Sequence, residues 1–186
     1  MIELQDNMGV LSLAEAIGVR IRWGHHCVCV TNGCFDLLHR GHVESLEAAA
    51  ALATRLIVLV NSDDSVRSLK GPERPIVPAE DRAAMLVALR CVSAAVIFDG
   101  TNCAPELRAL QPEIYAKSEE YRTAQNALER QALEDCGCRI AWMPRIDGFS
   151  TSALLRRCVR ARVVETSRRT PGTTEVPQGA NGWGLI

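Results

Sequence analysis

The most informative stretch of the 186-residue sequence reads Gly33-Cys34-Phe35-Asp36-Leu37-Leu38-His39-Arg40-Gly41-His42. It follows the apolar run 28–30 and precedes residues 43–50, whose composition predicts a helix. A strand, a glycine-bearing turn and a helix start form an anion site, because free backbone N–H groups and the helix dipole face the ligand. With Gly41 between them, His39 and His42 are placed to reach one phosphate chain. The pattern therefore predicts a nucleotide ligand.

Length, charge and composition narrow the class of protein. With 47% hydrophobic residues, the chain is long enough for one domain with a core and short terminal appendages. A net charge of −1 and the lack of a long basic run argue against a nucleic acid or an anionic membrane as partner. The sequence has neither an apolar span of roughly 20 residues nor a signal-like start. We expect a cytoplasmic protein.

The eight cysteines raise two alternatives, which are core thiols and a zinc site. Two Cys-x-Cys pairs, at positions 27 and 29 and at 136 and 138, lie in strand-like runs, the first beside His25 and His26. This spacing differs from that of zinc knuckles, and the alternation of a strand places both thiols of a pair on one sheet face. We therefore expect reduced core thiols and no metal ligands among the side chains.

Apolar, β-rich runs alternate with helical stretches along the chain. The predicted strands cover residues 27–31, 56–61, 94–98, 113–116 and 139–143. The predicted helices cover residues 11–17, 42–53, 79–91, 104–109, 122–136 and 151–163. This alternation predicts an α/β fold, in which a five-stranded parallel sheet is covered by helices on both faces. We expect a helical extension at 1–24, the main domain at 25–163 and a flexible tail at 164–186.

Polar segments follow the predicted strands, at 33–42, 61–64, 117 and 144–152. The carboxyl ends of parallel strands lie at one edge of a sheet, where such folds bind ligands. We therefore expect these segments to share one site. The last of them enters the final predicted helix through three hydroxyl residues, which supply either a helix cap or a second anion site.

The motifs resemble those of the cytidylyltransferase-like nucleotidyltransferase superfamily. Residues 33–42 resemble its first signature, and Arg145-Ile146-Asp147-Gly148-Phe149-Ser150-Thr151-Ser152 resembles its second nucleotide-binding motif. Residues 60–63 and 70–76 are similar to its middle region, so that the resemblance covers residues 20–159. It implies a Rossmann-like nucleotidyltransferase fold, a nucleoside triphosphate with Mg²⁺, and a homodimer.

Within the superfamily, residues 31–36, 60–66 and 69–71 are most similar to the adenylyltransferase domain of bacterial ADP-heptose synthases. That resemblance implies transfer of AMP from ATP to heptose 1-phosphate with release of pyrophosphate, by a stand-alone form without the sugar kinase. Two alternatives stay open, a CTP-dependent glycerol-3-phosphate cytidylyltransferase and a nucleotide-binding module without activity. Where heptose enzymes show Lys-Gly-Gly-Asp-Tyr, this chain has Lys117-Ser118-Glu119-Glu120-Tyr121, so another sugar phosphate or polyol phosphate also fits.

The resemblance assigns three groups of site residues. The catalytic group is His39, His42, Lys70 and Arg145. The nucleotide-binding group is Gly33, Cys34, Phe35, Asp36, Gly41, Asp63, Gly148, Phe149, Ser150, Thr151 and Ser152. The acceptor-binding group is Arg74, Arg90, Lys117 and Tyr121.

Several of these residues have a second interpretation. Asp36 is either a binder of ligand or metal or a local structural anchor, and the structural role is favoured. We place Lys70 and Arg74 in a loop that closes over phosphates, rather than in a solvated surface loop. Arg82 and Arg90 are eight positions apart on one predicted helix, hence on the same side, and Arg90 either contacts the acceptor or forms a surface ion pair.

Overall fold

The computed structural model describes residues 7–144, 148, 151, 153–158 and 160. The chain divides into two compact units, residues 1–151 and 152–186. In the second unit, residues 153–158 and 160 are helical. In the first, six strands form one sheet in the order β1-β4-β3-β2-β5-β6, and every neighbouring pair is parallel. None of the helices in the described ranges is long and apolar enough to cross a membrane.

The strands are short and largely apolar. They are β1 (Val10–Leu11), β2 (Val28–Gly33), β3 (Arg55–Asn61), β4 (Ala94–Phe98), β5 (Ile114–Ser118) and β6 (Arg139–Met143). The helices are α1 (Leu13–Trp23), α2 (Arg40–Ala50), α3 (Asp63–Lys70), α4 (Ala79–Val87), α5 (Ala104–Leu110) and α6 (Ala127–Asp135), with a 3₁₀ turn at Glu119–Tyr121.

Two separate cores cover the two faces of the sheet. Alternate residues of β2 point to opposite faces, so Val28 and Val30 belong to one core and Cys29 to the other. The first core is closed by α1, α5 and α6, and the second by α2 and α4. The predicted α/β fold, with a parallel sheet buried between helices, is confirmed.

The strand order reverses at β2. From β2 the chain adds β3 and β4 on one side, and then β5 and β6 on the other. In open α/β sheets such a switch point leaves a crevice at the carboxyl ends of the strands, and ligands bind there. The loop 34–39, which joins β2 to α2, lies at this crevice.

Several elements differ from the predicted ones. Helix α1 ends six residues later than predicted, and α6 begins five residues later. β1 adds a sixth strand, which pairs with β4 at the sheet edge through only two residues and is too short to show a pattern. The segment 63–70 is helical, so Lys70 ends α3 and does not lie in a loop. The predicted helix 79–91 ends at Val87, which leaves Arg90 in the following turn and not on a shared helix face with Arg82.

Candidate functional site

The amino end of α2 carries the two histidines. His39 caps the helix, because its Nδ1 accepts a hydrogen bond from the backbone N–H of His42 at 3.3 Å. The two imidazole rings stack, with centroids 3.8 Å apart and planes inclined by 12°. Since Nδ1 of His39 is an acceptor, the neutral ring carries its proton on Nε2, which is then the donor of the ring.

Both imidazoles are neutral at pH 7. Burial, and to a smaller extent the nearby His39, lower the pKa of His42 to about 4. Burial also lowers the pKa of His39. The Nδ1 atom of His42 is buried and has no hydrogen-bond partner within the described residues. A polyphosphate bound at this helix end would supply an acceptor and would favour protonation of both rings.

Phe35 packs against the second histidine. Its ring meets the His42 ring edge-on, with centroids 5.3 Å apart, and its φ of 49° lies in the left-handed region. That conformation costs a residue with a side chain about 1 kcal/mol, so packing must hold Phe35 in place. Gly33 makes room for the ring, because a Cβ at Gly33 would lie 3.0 Å from Cε2 of Phe35. Gly33 and Phe35 thus set the position of His42.

Asp36 joins this loop to the segment that follows α3. The side chain is 1% exposed, and its Oδ1 accepts the backbone N–H groups of Ile76 at 2.7 Å and Val77 at 3.0 Å. Its Oδ2 pairs with the guanidinium of Arg74. Both carboxylate oxygens therefore have protein partners, which favours the structural interpretation of Asp36.

Arg82 is a fully buried cation that ties three segments together. It donates to the carbonyl oxygen of Cys34 in the motif loop and, at 2.8 Å, to that of Val77 before α4. It also donates to the carboxylate of Asp63, in the first turn of α3, at 2.7 Å. Asp63, predicted to bind the nucleotide, is thus half of a partly buried ion pair. Sequence reasoning did not assign Arg82 to the site, although an arginine on an apolar helix face was a visible clue.

Lys70 is the exposed last residue of α3. Burial raises the pKa of the Cys34 thiol, and the charge of Lys70 is the largest effect that opposes this shift. Lys70 therefore lies near the motif loop. Within residues 7–144 its ammonium makes no hydrogen bond or ion pair, so it is available to an anionic ligand.

Lys117, at the carboxyl end of β5, is fully engaged by neighbours. Its ammonium donates to Asn32 Oδ1 at 3.1 Å, to the Tyr115 hydroxyl at 3.0 Å and to Glu129 Oε2 at 3.0 Å. An ammonium has three N–H groups, so all are used. Contact of Lys117 with an acceptor phosphate stays a prediction, and it would require the exchange of one of these bonds. The sequence did not predict a role for Glu129, because it lies in a helix of polar composition where no pattern indicates a buried carboxylate.

The remaining predicted residues are scattered. Arg90 is exposed in the turn after α4, and Tyr121 ends the 3₁₀ turn with its ring 5.4 Å from the Lys117 ammonium. Gly148 is exposed with φ of 83°, and Thr151 is half-buried. Four predicted site residues of the second motif lie outside the described part of the chain, namely Arg145, Phe149, Ser150 and Ser152.

The cysteines are not joined to one another, and all eight are free. Cys29 and Cys103 are buried, and burial raises the pKa of Cys29 to about 12, which keeps that thiol protonated. No group of three or more His, Cys, Asp or Glu side chains in the described ranges is placed to hold a metal ion.

The strand order, the glycine-bearing loop and the paired histidines at a helix start define a nucleotidyltransferase-like site. The chain belongs to the cytidylyltransferase-like family, whose sequence pattern matches residues 30–157. This match confirms the resemblance drawn from the motifs.

Relatives with curated descriptions are similar over most of the chain. The bifunctional protein HldE of Methylococcus capsulatus is 42% identical over 149 residues, which is 79% of this chain and 32% of that protein. The bifunctional protein HldE of Streptomyces coelicolor is 43% identical over 142 residues, 76% of this chain and 30% of that protein. The chain thus spans about a third of the length of the curated relatives it matches.

Two solved structures share the fold. A lipopolysaccharide core biosynthesis protein from Thermoplasma volcanium superposes with a TM-score of 0.53 at 23% identity, covering 67% of this chain and 99% of that one. Pantothenate synthetase from Thermus thermophilus superposes with a TM-score of 0.54 at 15% identity, covering 75% of this chain and 62% of that one.

Proposed function

We propose that this chain transfers AMP from ATP to a sugar 1-phosphate, heptose 1-phosphate in the first instance, and releases pyrophosphate. The observation that carries the proposal is the stacked pair His39 and His42 at the amino end of α2, placed at the switch point of the sheet. The similarity to HldE proteins supports the choice of substrates, since the motifs around residues 31–36 and 60–71 resemble the ADP-heptose enzymes.

The reaction needs no covalent intermediate. An oxygen of the acceptor phosphate attacks the α-phosphorus, and the bond from that phosphorus to the pyrophosphate oxygen breaks in line. Catalysis then rests on positioning and on stabilising negative charge. The Nε2–H of His39 and the imidazole of His42 are the donors we assign to the α-phosphoryl and leaving-group oxygens. The bound polyphosphate favours uptake of a proton from water by either ring, and a protonated ring would make stronger hydrogen bonds to these oxygens.

Of three cations on the β3 side, we assign one to the phosphates and two to the structure of the pocket. Lys70 has no protein partner in the described residues and is the mobile cation we expect on the triphosphate or the acceptor. Arg74 is neutralised by Asp36, and Arg82 by Asp63, so we assign these two pairs to the shape of the pocket. Arg145 and the hydroxyls at 150–152 are the further phosphate donors that the second motif predicts.

Magnesium enters this proposal as part of the substrate MgATP. The carboxylate of Asp36 in the motif loop and that of Asp63 in the first turn of α3 are both paired with arginines. The carboxylates of the described residues therefore do not form a metal site of their own, and we expect the phosphate oxygens to hold the ion. A homodimer and a cytoplasmic location complete the proposal, and sedimentation velocity tests the first of these.

A pyrophosphate-release assay tests the substrates directly. ATP, CTP and GTP are each combined with heptose 1-phosphate and with glycerol 3-phosphate. We expect release with ATP and heptose 1-phosphate. Activity confined to CTP and glycerol 3-phosphate would contradict the substrates and leave nucleotidyl transfer standing. No release from any pair, together with measurable ATP binding, would favour a binding module without activity.

A further inference from the structure

Two hydrogen bonds fix the amide oxygen of Asn32, whereas its amide NH₂ group has no partner in the described part of the chain. Its Oδ1 accepts hydrogen bonds from the Tyr115 hydroxyl at 2.8 Å and from the Lys117 ammonium at 3.1 Å. A lysine ammonium has only donors, so the atom that faces it must be the amide oxygen. The amide NH₂ group is therefore on the other branch, where neither N–H meets an acceptor among the described residues.

A buried network holds this orientation. Glu129, 3% exposed, accepts from Lys117 with Oε2, while its Oε1 accepts the backbone N–H of Cys103 at 3.3 Å. The hydroxyl of Tyr115, a fully buried residue, bridges Lys117 and Asn32. The network has no net charge, because the ammonium and the carboxylate cancel. It presents the Asn32 amide in a fixed direction without being a cation site itself.

Asn32 lies where the crevice of the sheet opens. β2 pairs with β5 as far as Thr31 opposite Ala116, whereas it pairs with β3 as far as Gly33 opposite Val60. Asn32 is thus the first residue of β2 beyond its last partner on β5, and it directly precedes the histidine motif. The second nucleotide motif follows β6, which is on the same side of β2 as β5. Lys70 follows β3, on the opposite side.

We infer that Asn32 contacts the nucleotide, and that its amide N–H groups donate to an oxygen of the nucleoside triphosphate, either on the ribose or on the α-phosphate. This inference rests on the proposed function. The two N–H donors require an oxygen acceptor. We choose the nucleotide, and not the acceptor phosphate, because Asn32 directly precedes the histidine motif on β2 and because the network behind Asn32 has no net charge. Lys117 and Glu129 are positioning residues that act through Asn32.

The test is titration calorimetry of the parent chain and two variants with MgATP, adenosine and inorganic triphosphate. Asn32→Asp keeps the oxygen that accepts from Lys117 but removes the N–H donors, and Asn32→Leu removes them without adding charge. We expect both variants to bind MgATP at least about tenfold more weakly, since one hydrogen bond is lost. A parallel loss with adenosine assigns the contact to the ribose, and a loss with triphosphate assigns it to the phosphate.

Two results would overturn the inference. Weaker binding by Asn32→Asp alone would mean charge repulsion, and parent-like binding by folded Asn32→Leu would mean no contact. Thermal melting of each variant establishes that it is folded. If Asn32→Leu does not fold, parent-like binding of adenosine and MgATP by folded Asn32→Asp would equally overturn the inference. A parent chain that fails to bind MgATP would contradict the proposed function itself, so the two failures are distinguishable.

Discussion

The imidazole of His39 stacks on that of His42 with ring centroids 3.8 Å apart, and the same His39 ring caps α2 through its Nδ1. One side chain thus starts the helix and orders its partner. Because both rings have lowered pKa values, the pair is neutral at pH 7. A site prepared in this way gains positive charge only when an anion arrives.

We expect the stability of the parent to fall on acidification because of His42. Its pKa is about 4 in the folded chain against about 6.5 when unfolded, so between these values the unfolded chain binds more protons. Stability is therefore full above pH 6.5 and declines as the pH falls toward 4. We compare the free energy of unfolding in urea at pH 7.5 and at pH 5. Between these two pH values the parent should lose about 1–2 kcal/mol more than His42→Gln does. Equal losses in the two proteins would contradict the lowered pKa.

Replacement of Asp36 by asparagine should destabilise the fold. Asp36→Asn leaves the nearly buried Arg74 without its counter-ion and weakens the bonds to the N–H groups of residues 76 and 77. We expect a loss of about 3 kcal/mol in the free energy of unfolding. The matched control is Asp64→Asn, because the Asp64 carboxylate pairs with Arg67 at the exposed surface. This substitution should lower the free energy of unfolding by less than about 1 kcal/mol. Similar losses for the two variants would show that Asp36 is not an anchor.

Arg82 should not be replaceable by lysine. An ammonium lacks the planar fork that reaches the carbonyls of Cys34 and Val77 together with Asp63. We expect Arg82→Lys to lose about 2–4 kcal/mol of stability and to raise the KM for both substrates. The control is Arg130→Lys at an exposed position of α6, which should leave stability and both KM values unchanged. Denaturant unfolding and steady-state kinetics decide, and an Arg82→Lys chain that matches the control would rule out the bridging role.

Gly33 should be sensitive to a single added methyl group. In Gly33→Ala the new Cβ meets the Phe35 ring at 3.0 Å and must move it, and Phe35 in turn contacts His42. We expect a drop in kcat of about tenfold with a stability loss of about 1–2 kcal/mol. Gly18→Ala, in the interior of α1, is the control, because its Cβ would only touch Arg22 at 3.7 Å. Gly18→Ala should keep full activity, and its free energy of unfolding should rise by about 1 kcal/mol.

Local pattern predicted the sheet better than the helices around it. β4 and β6 were placed at their observed bounds, because continuous apolar runs identify buried parallel strands. The sequence pattern predicts no helix at 63–70, since this segment is short and polar. Yet Ser62 caps it, acids fill its first turn and Gly71 follows it, which are ordinary helix signs.

Contiguous parts of the site were predictable and distant parts were not. His39 and His42 belong to one ten-residue motif, so sequence alone places them together. The contacts of Arg82 with Cys34 and of Asp36 with Ile76 join residues 48 and 40 positions apart. Nothing in local spacing indicates such pairs, because the packing of the sheet and its loops creates them. The burial of Glu129 beside Lys117 is of the same kind.

The most direct test of the account is the rate of pyrophosphate release by His42→Ala with saturating MgATP and heptose 1-phosphate. We expect kcat to fall at least about 100-fold, because a donor to the developing charge is lost, while the melting temperature stays within a few degrees of the parent. His25→Ala, an exposed histidine, serves as control and should keep the parent rate. A folded His42→Ala chain that releases pyrophosphate as fast as the parent would contradict the role assigned to the histidine pair.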